Sequence, residues 1–247
     1  SMYTALLRSK KGGRDDLASL EYAAAGGEAL PDSVYEAVRD RFGVEIIQGY
    51  GMSEAAPVVS LNVPWSNHVG TVGQSIPGVT VKAFDDHGRV MPPDGIGELW
   101  VRGPNVMKGY YKKPDESRAV LTEDGWYKTG DMGKVDPEGY ITITGRKKEM
   151  IIVGGENVYP REIESALCDH PAIQEAAAIG EPDKSRGEVV VAFVTLEDGQ
   201  TATDIELRDF CRDRIAGYKV PRRVIIADDL PRGPTGKILK RKLPELL

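Results

Sequence analysis

The first part of the chain shows a helical pattern of hydrophobic residues followed by a strand-like one. The segment LPDSVYEAVRDRFG places Val34, Val38 and Phe42 on one face of a helix. Gly43 follows as a stop signal. The next segment, VEIIQGYGMSE, begins as an apolar run typical of a buried strand and then enters a glycine turn. These patterns predict an α/β layer over residues 1–66.

The middle of the chain changes to short runs in which apolar and polar residues alternate. Three of these runs are VTVKAF, GELWVRG and YITITG, and turn signals such as PPDG and DPEG separate them. Closely spaced short strands with such turns are typical of a small barrel or sandwich. We therefore predict a β-barrel-like segment over residues 67–147.

The helical period returns in the last part of the chain. In YPREIESALCDH, Pro160 occupies a position where a first-turn proline is tolerated. The run EVVVAFVTL predicts a strand buried on both sides, and RRVIIAD predicts another strand. TDIELRDFCRDRIAG predicts a helix that opens with a Thr203/Glu206 capping box and closes on Gly217. We therefore predict a compact α+β domain over residues 148–247.

Composition and charge exclude several classes of function. The formal net charge of −6 argues against a general nucleic-acid binder, because phosphate-backbone affinity requires a basic face. The two cysteines form no CxxC motif, which predicts a reducing compartment and no structural zinc. No apolar run approaches the length of a bilayer span, and no signal peptide is visible. We expect a cytoplasmic protein without nucleic-acid partners or a membrane span, and we expect the chain to be a piece of a longer protein.

The segment QGYGMSE combines several groups that suit a nucleotide. Its glycines, including Gly51, allow a ligand to approach the backbone. The Tyr50 ring has the shape to stack on a base, the Ser53 hydroxyl can contact phosphate, and the Glu54 carboxylate can bind Mg²⁺. Taken alone, the segment is a weak signal, and it does not complete a GxGxxG motif.

Two later segments offer further polar candidates. In YKTGD, the Asp131 carboxylate can accept two hydrogen bonds from a vicinal diol such as ribose, although an aspartate in a turn is the simpler interpretation. In GRKKEM, the Arg146 guanidinium offers a rigid fork for hydroxyl or phosphate oxygens, and a surface ion pair is its simpler interpretation.

A lysine near the C-terminus, Lys237, lies in the segment PRGPTGKILKRKL. A Walker phosphate loop is excluded, because Pro231 stands where the first glycine is required and Ile238 follows the lysine. The neighbouring basic run would by composition be a solvated face. The segment alone leaves open whether Lys237 reaches a site.

Six segments, taken in order, resemble the motifs of the adenylate-forming superfamily, which includes acyl-CoA synthetases, luciferases and peptide-synthetase adenylation domains. They are AAAGGEALP, QGYGMSE, GELWVRGPNVMKGYY, WYKTGD, GRKKEMIIVGGENVYPREIE and PRGPTGKILKRKL. The superfamily's phosphate loop, TSGTTGxPK, precedes these motifs and does not occur in the sequence. The chain therefore resembles the C-terminal half of such an enzyme, and we expect its N-terminal half to be the missing partner.

The resemblance implies a role for individual residues in nucleotide binding. Glu28 departs from the small residue that many acyl-CoA synthetases have there, and Ser53 replaces a commoner threonine. The implied nucleotide-binding residues are Gly27, Glu28, Tyr50, Gly51, Ser53, Asp131 and Arg146.

The resemblance also implies how the two domains act. Residues 1–147 would be the C-terminal part of a large AMP-binding domain, followed by a small mobile domain. Glu54 would hold Mg²⁺, and Lys237 would be the catalytic lysine that bridges the substrate carboxylate and the reacting phosphate. Lys148 would be the hinge. The implied CoA-binding residues, which line the pantetheine tunnel, are Gly154 and Gly155.

The hinge segment decides which branch of the superfamily the chain resembles. Peptide-synthetase domains usually read GRxDxQVKxRGxRIEPxEIE there, whereas GRKKEMIIVGGENVYPREIE is similar to fatty-acid or aryl-CoA ligases. The resemblance implies an acyl-CoA synthetase that uses a carboxylic acid, ATP, Mg²⁺ and CoA and forms AMP. Loading of a carrier protein, luciferase-like oxidation and AMP binding without turnover remain alternatives. We expect the chain alone to be inactive, because the phosphate loop does not occur in it.

Overall fold

The computed structural model describes residues 2–9, 11–28, 30–234 and 236–247. The chain divides into two compact units, Ser1–Thr144 and Gly145–Leu247. We call them the first and the second unit and describe each by itself. None of the described helices is long and apolar enough to cross a membrane.

The first unit begins with an α/β layer. A glycine with a φ of 68°, Gly43, ends the predicted helix in the left-handed conformation. The four strands form one sheet in chain order, in which the first pair is parallel and the other pairs are antiparallel. The elements are α1 (Met2–Arg8), β1 (Ala23–Gly26), α2 (Asp32–Phe42), β2 (Ile46–Gly51), β3 (Val58–Leu61) and β4 (Gln74–Ser75), with short 3-10 helices at Arg14–Leu17 and Ser53–Ala55.

A second sheet of four strands completes the first unit. Neighbouring strands along the chain pair in the order β5-β6-β7-β8, and the β5–β6 and β6–β7 pairs are antiparallel. The core beside it is built from small and branched residues such as Val59, Leu99 and Ile141. The elements are β5 (Thr80–Phe84), β6 (Gly97–Arg102), α3 (Pro114–Val120), β7 (Tyr127–Val135) and β8 (Ile141–Arg146).

This second sheet is open, whereas the sequence pattern suggested a small barrel. Within the described residues, the outer edge of β8 does not return to β5. It is covered instead by the chain leading into β4. The Val72 amide donates to the Ile141 carbonyl at 2.8 Å, and the Ile141 amide donates to the Gly73 carbonyl at 3.0 Å. The edge that would close a barrel is thus satisfied by the neighbouring sheet.

The second unit is an α+β fold around a five-stranded sheet. The strand order is β10-β9-β12-β11, with β13 parallel to β12. Alternate residues of β12 enter two different apolar clusters, which confirms a strand buried on both faces. The elements are β9 (Ile151–Val153), β10 (Glu156–Val158), α4 (Pro160–Cys168), β11 (Ile173–Asp183), β12 (Gly187–Leu196), α5 (Asp204–Arg212) and β13 (Arg223–Ile226), with 3-10 helices at Lys147–Glu149, Gly217–Lys219 and Lys240–Leu246.

The capping box of α5 is confirmed, but the predicted end of this helix is wrong. The Thr203 amide donates to Glu206 Oε2 at 2.8 Å, and the Glu206 amide donates to Thr203 Oγ1 at 3.3 Å. The helix ends at Arg212. Gly217 instead opens a separate 3-10 turn, so the glycine marks the next element rather than the end of α5.

Candidate active site

Two candidate segments leave neighbouring parallel strands at one edge of the first sheet. The register pairs Gly26 at the end of β1 with Gly49 in β2. Gly27, whose φ is 81°, therefore follows β1 beside the point where Tyr50 continues β2. Ligands of open α/β sheets bind at the carboxyl ends of such strands. Gly27 and Glu28 are exposed there.

A hydrogen bond joins two of the predicted nucleotide-binding residues across the first unit. The Tyr50 hydroxyl donates to Asp131 Oδ2 at 2.5 Å. Asp131 lies in β7 and is only 5% exposed, and its amide donates to Thr129 Oγ1 at 2.9 Å. A buried carboxylate is costly unless it is hydrogen-bonded, so this contact orients both side chains. The structure thus brings together the ring proposed for adenine and the carboxylate proposed for ribose.

The carboxylate predicted to bind Mg²⁺ is oriented by a residue that sequence reasoning missed. Glu54 and the exposed Ser53 lie in the 3-10 turn after β2. The Tyr110 hydroxyl donates to Glu54 Oε1 at 3.0 Å. Burial raises the pKa of Tyr110, and the hydrogen bond to Glu54 adds to the rise. Burial also raises the pKa of Tyr127, and the neighbouring Tyr110 hydroxyl adds to the rise. Tyr110 belongs to the segment MKGYY, and nothing in that segment alone signals the contact.

The acidic groups of the first unit suit a metal that is shared with a substrate. In the part of the chain that the structure describes, no group of three or more His, Cys, Asp or Glu residues could hold a metal ion. Mg²⁺ usually binds through one or two carboxylates together with substrate phosphates and water. Half-buried Glu54, with one oxygen held by Tyr110, fits a single protein ligand of that kind.

The remaining candidates belong to the second unit. Arg146 ends β8, and Lys148 lies in the 3-10 turn that follows; both are exposed. The structural boundary falls between Thr144 and Gly145, and the hinge at Lys148 stays a prediction.

The two glycines predicted to line a pantetheine tunnel form a tight hairpin turn between β9 and β10. Their φ angles are 62° for Gly154 and 91° for Gly155, as a two-residue turn of the type I′ class requires. A Cβ atom at either position would meet no heavy atom within 4 Å. The turn is therefore an exposed ridge of bare backbone, and side chains are disfavoured there by backbone strain rather than by crowding.

The predicted catalytic lysine is exposed on a closed loop. The Gly233 amide donates to the Lys237 carbonyl at 2.8 Å, and a β-bridge pairs Arg232 with Ile238. Gly236, with a φ of 83°, makes the turn before the lysine. Lys237 thus lies in the paired part of a small hairpin-like structure, with its side chain exposed.

The two thiols do not contribute a nucleophile. Burial raises the pKa of Cys168 to about 12 and that of Cys211 to about 11. A reactive thiol needs a depressed pKa and access to solvent. Both cysteines pack against the apolar core of the second unit and are structural.

Comparisons with known proteins identify the family of the chain. The AMP-binding enzyme family matches residues 1–111, and the AMP-binding enzyme C-terminal domain matches residues 162–237. A long-chain-fatty-acid–CoA ligase of Bacillus subtilis is 44% identical over 99% of this chain and 44% of its own length. A sulfoacetate–CoA ligase of Cupriavidus necator is 40% identical over 92% of this chain and 45% of its own length.

Solved structures give the same assignment. ATP-bound MatB from Rhodopseudomonas palustris has a TM-score of 0.93 and 35% identity, over 98% of this chain and 48% of that protein. The chain spans 44% of the length of the Bacillus subtilis ligase. Matches to both domains, on a fold and a set of motifs that agree with them, show that the chain belongs to the AMP-binding enzyme family.

Proposed function

We propose that the whole protein is an acyl-CoA synthetase of which this chain is the C-terminal part. It would join a carboxylic acid to ATP, giving acyl-AMP and pyrophosphate, and then transfer the acyl group to the thiol of CoA with release of AMP. The observation that carries the proposal is the contact between Tyr50, near the carboxyl end of β2, and buried Asp131 of β7. The CoA ligases among the relatives support CoA as the acceptor.

The first unit would bind the nucleotide. The Tyr50 ring would stack on adenine beside Gly27 and Glu28, and the Asp131 carboxylate would accept hydrogen bonds from the ribose hydroxyls. Because its hydroxyl is already bonded to Asp131, the Tyr50 ring loses little further freedom when a base stacks on it. Gly51 would face the nucleotide with its backbone, and it has to be a glycine because a Cβ there would lie 2.2 Å from the Pro57 carbonyl oxygen.

Phosphate and Mg²⁺ would lie at the turn after β2. The Ser53 hydroxyl is exposed there for a phosphate oxygen, and the Glu54 carboxylate would be the protein ligand of Mg²⁺. When bound, the cation would neutralise charge on the departing pyrophosphate. Tyr110 keeps one Glu54 oxygen occupied and so fixes the direction of the other.

The second unit would supply the charge that the first step requires. Attack of a carboxylate on ATP brings two anions together, so much of the barrier is electrostatic. An ammonium placed at the developing charge, here that of Lys237, typically accelerates such a step by roughly 100- to 1000-fold. Arg146 would bind ribose or phosphate oxygens.

The second step would use another face of the same unit. Rotation about Lys148, between a large domain that ends at residue 147 and a small one that starts at 148, would replace Lys237 by the Gly154–Gly155 turn. Bare backbone at these glycines would let the pantetheine arm pass closely.

The acid is proposed only as a class, because relatives act on substrates as different as long-chain fatty acids and sulfoacetate. The chain alone is proposed to be inactive, since the phosphate loop would come from the N-terminal half. Loading of a carrier protein and AMP binding without turnover are the alternatives. Action in the cytoplasm remains part of the proposal.

Two substitutions in the full-length protein test the proposal. Lys237→Ala should slow acyl-AMP synthesis by roughly 100-fold or more, because an interaction made in only one transition state affects only that step. It should leave the conversion of supplied acyl-AMP and CoA to thioester near normal. Gly155→Leu should have the reverse effect, since a branched residue is strained at a φ of 91° and obstructs the turn. Single-turnover rates of both steps measure the pattern.

The outcome separates the alternatives. Equal slowing of both steps by Lys237→Ala would contradict the assignment of this lysine to adenylation. Acyl-AMP formation without thioester formation in wild-type protein, until a carrier protein is supplied, would favour the carrier-loading alternative. Nucleotide binding without acyl-AMP formation would favour a non-catalytic module.

A further inference from the structure

A second lysine in the same C-terminal segment is held inside the second unit. The Lys240 ammonium lies 2.8 Å from Glu164 Oε1 and 3.0 Å from Glu149 Oε2, and the side chain is only 26% exposed. Burial lowers the pKa of Lys240, but the charges of both glutamates and their hydrogen bonds more than offset this, so its pKa lies above the ordinary value. Lys240 is therefore a permanent cation between two carboxylates.

Each of these carboxylates belongs to a different structural element. Glu164 lies in α4, and its Oε1 also accepts a hydrogen bond at 2.8 Å from the Ala178 amide of β11. Glu149 ends the 3-10 turn that contains Lys148. The ammonium of Lys240 thus joins the helix and the sheet to the segment in which the hinge is proposed.

The loop that carries Lys237 is attached at both of its ends. Before the loop, Arg232 forms an ion pair with Glu175 of β11. After it, Lys240 binds Glu164 and the chain continues into the 3-10 helix Lys240–Leu246. Between the two attachments, the Lys237 side chain is exposed. The loop is therefore fixed at its base, and the Lys237 side chain is exposed beside that base.

Stability alone does not account for a cation at this half-buried position. Replacing buried ion pairs by apolar residues of similar volume is often neutral or stabilising. The charged arrangement instead fixes a position, because an ammonium that binds two carboxylates held by their own elements has one preferred place. That position fixes the start of the last 3-10 helix and, through it, the backbone of the lysine loop.

We propose that Lys240 is a positioning residue for Lys237. Its contacts with Glu164 and Glu149 make the lysine loop, α4 and the segment after Lys148 one rigid body, so a rotation near Lys148 moves the Lys237 ammonium without loosening it. This inference rests on the proposed role of Lys237. The basic neighbour Lys242 is exposed and provides a matched control within the same helix.

Adenylation by the full-length protein gives the first test. Lys240→Met should lower the single-turnover rate of acyl-AMP formation by roughly 10- to 100-fold, because small displacements of a catalytic group cost about that much. The KM for ATP and the thioester step should change by less than about threefold. Lys240→Arg, which keeps the charge, should restore most of the rate. Glu149→Gln should cause a smaller loss, and Lys242→Met should cause none.

Cleavage by trypsin after Lys237 gives a readout that does not depend on activity. In the native chain, Lys240→Met should accelerate this cleavage selectively, and Lys240→Arg should not.

An adenylation rate within about threefold of wild type in Lys240→Met would overturn the proposal. So would faster cleavage throughout the second unit combined with no effect of Glu149→Gln, since that pattern indicates general destabilisation. The two proposals can fail separately. If Lys237→Ala leaves the adenylation rate intact while Lys240→Met still accelerates cleavage after Lys237, the role proposed for Lys237 is wrong, but Lys240 still holds the loop.

Discussion

The two units hold their candidate residues in opposite ways. In the first unit, Asp131 is buried in a strand and bonded to Tyr50, and Glu54 is held by Tyr110. In the second unit, the Gly154–Gly155 turn and the Lys237 side chain are exposed on short turns or loops. The candidate side chains of the first unit are therefore ordered by contacts with one another, whereas the candidate groups of the second unit are exposed on short turns or loops.

This difference fits the two tasks that we propose for the units, which are nucleotide binding by the first unit and movement of groups into and out of the site by the second. Binding a nucleotide benefits from side chains that are already ordered, because ordering them on binding reduces affinity. Groups that enter and leave a site must instead be reachable from solvent and must keep their geometry while the body that carries them moves. In the second unit that geometry depends on the rigidity of the sheet below the turns, where β12 is packed on both faces.

The largest expected effect tests whether the second unit unfolds independently. Phe193 is fully buried, and its replacement by alanine should destabilise this unit by about 3–5 kcal/mol. Both cysteines of the chain, Cys168 and Cys211, lie in the second unit. Because Cys211 is fully buried and burial raises its pKa, its thiol should react with a thiol reagent only when this unit opens. Phe193→Ala should therefore accelerate the thiol reaction by roughly 100-fold or more.

Phe42→Ala is the matched control, since Phe42 is equally well buried in the first unit. It should destabilise the first unit by a similar amount and leave the thiol rate unchanged. Phe193 packs in the cluster on the other face of the sheet from the cysteines, so a local change at the thiols is avoided. Equal acceleration by both substitutions would show that the two units unfold as one.

A smaller effect is expected at the site of the first unit. Asp131→Asn keeps the shape of the side chain but removes the charge that accepts the Tyr50 hydroxyl. Hydrogen bonds to charged groups contribute about 1.5–3 kcal/mol, so the Kd of AMP for the full-length protein should rise by roughly 10-fold or more. Titration calorimetry measures this change. Tyr50→Phe keeps the stacking ring and should raise the Kd of AMP by less than Asp131→Asn does. An equal or larger rise in that variant would place the main contact at the tyrosine hydroxyl.

The sequence predicted the elements better than the contacts between them. Hydrophobic periodicity placed α2, β2 and the doubly buried β12, since each pattern lies within one segment. The open sheet was missed, because covering the edge of β8 depends on residues 72–74, which lie far away along the chain. Local signals also misplaced the end of α5, where Gly217 was read as its stop.

In the candidate site, too, the sequence indicated residues but not the contacts between them. Motifs identified Glu54 and Lys237 by residue type, but not what holds them. The hydroxyl that orients Glu54 comes from Tyr110, 56 residues away in sequence, and Tyr50 reaches Asp131 across 81 residues. Lys240 appeared only as part of a solvated basic run, yet it lies between two carboxylates. Contacts of this kind follow from tertiary packing, and no local pattern encodes them.

The smallest expected effect concerns how the second unit starts its last α-helix. Thr203→Ala removes the side-chain acceptor for the Glu206 amide and should cost about 1 kcal/mol. For a unit of this size, that loss corresponds to a fall in Tm of roughly 4–8 °C. Thr203→Ser retains the cap and should melt near the wild-type temperature.

In the first unit, α2 starts after Pro31, which has no side-chain acceptor, so Ser33→Ala within that helix should change little. Calorimetry should show a lower Tm for Thr203→Ala alone among the three variants. The fall should occur only in the unfolding transition that also exposes the thiols. A shift in both transitions would mean that the stability of the exposed turns is not set by the second unit alone.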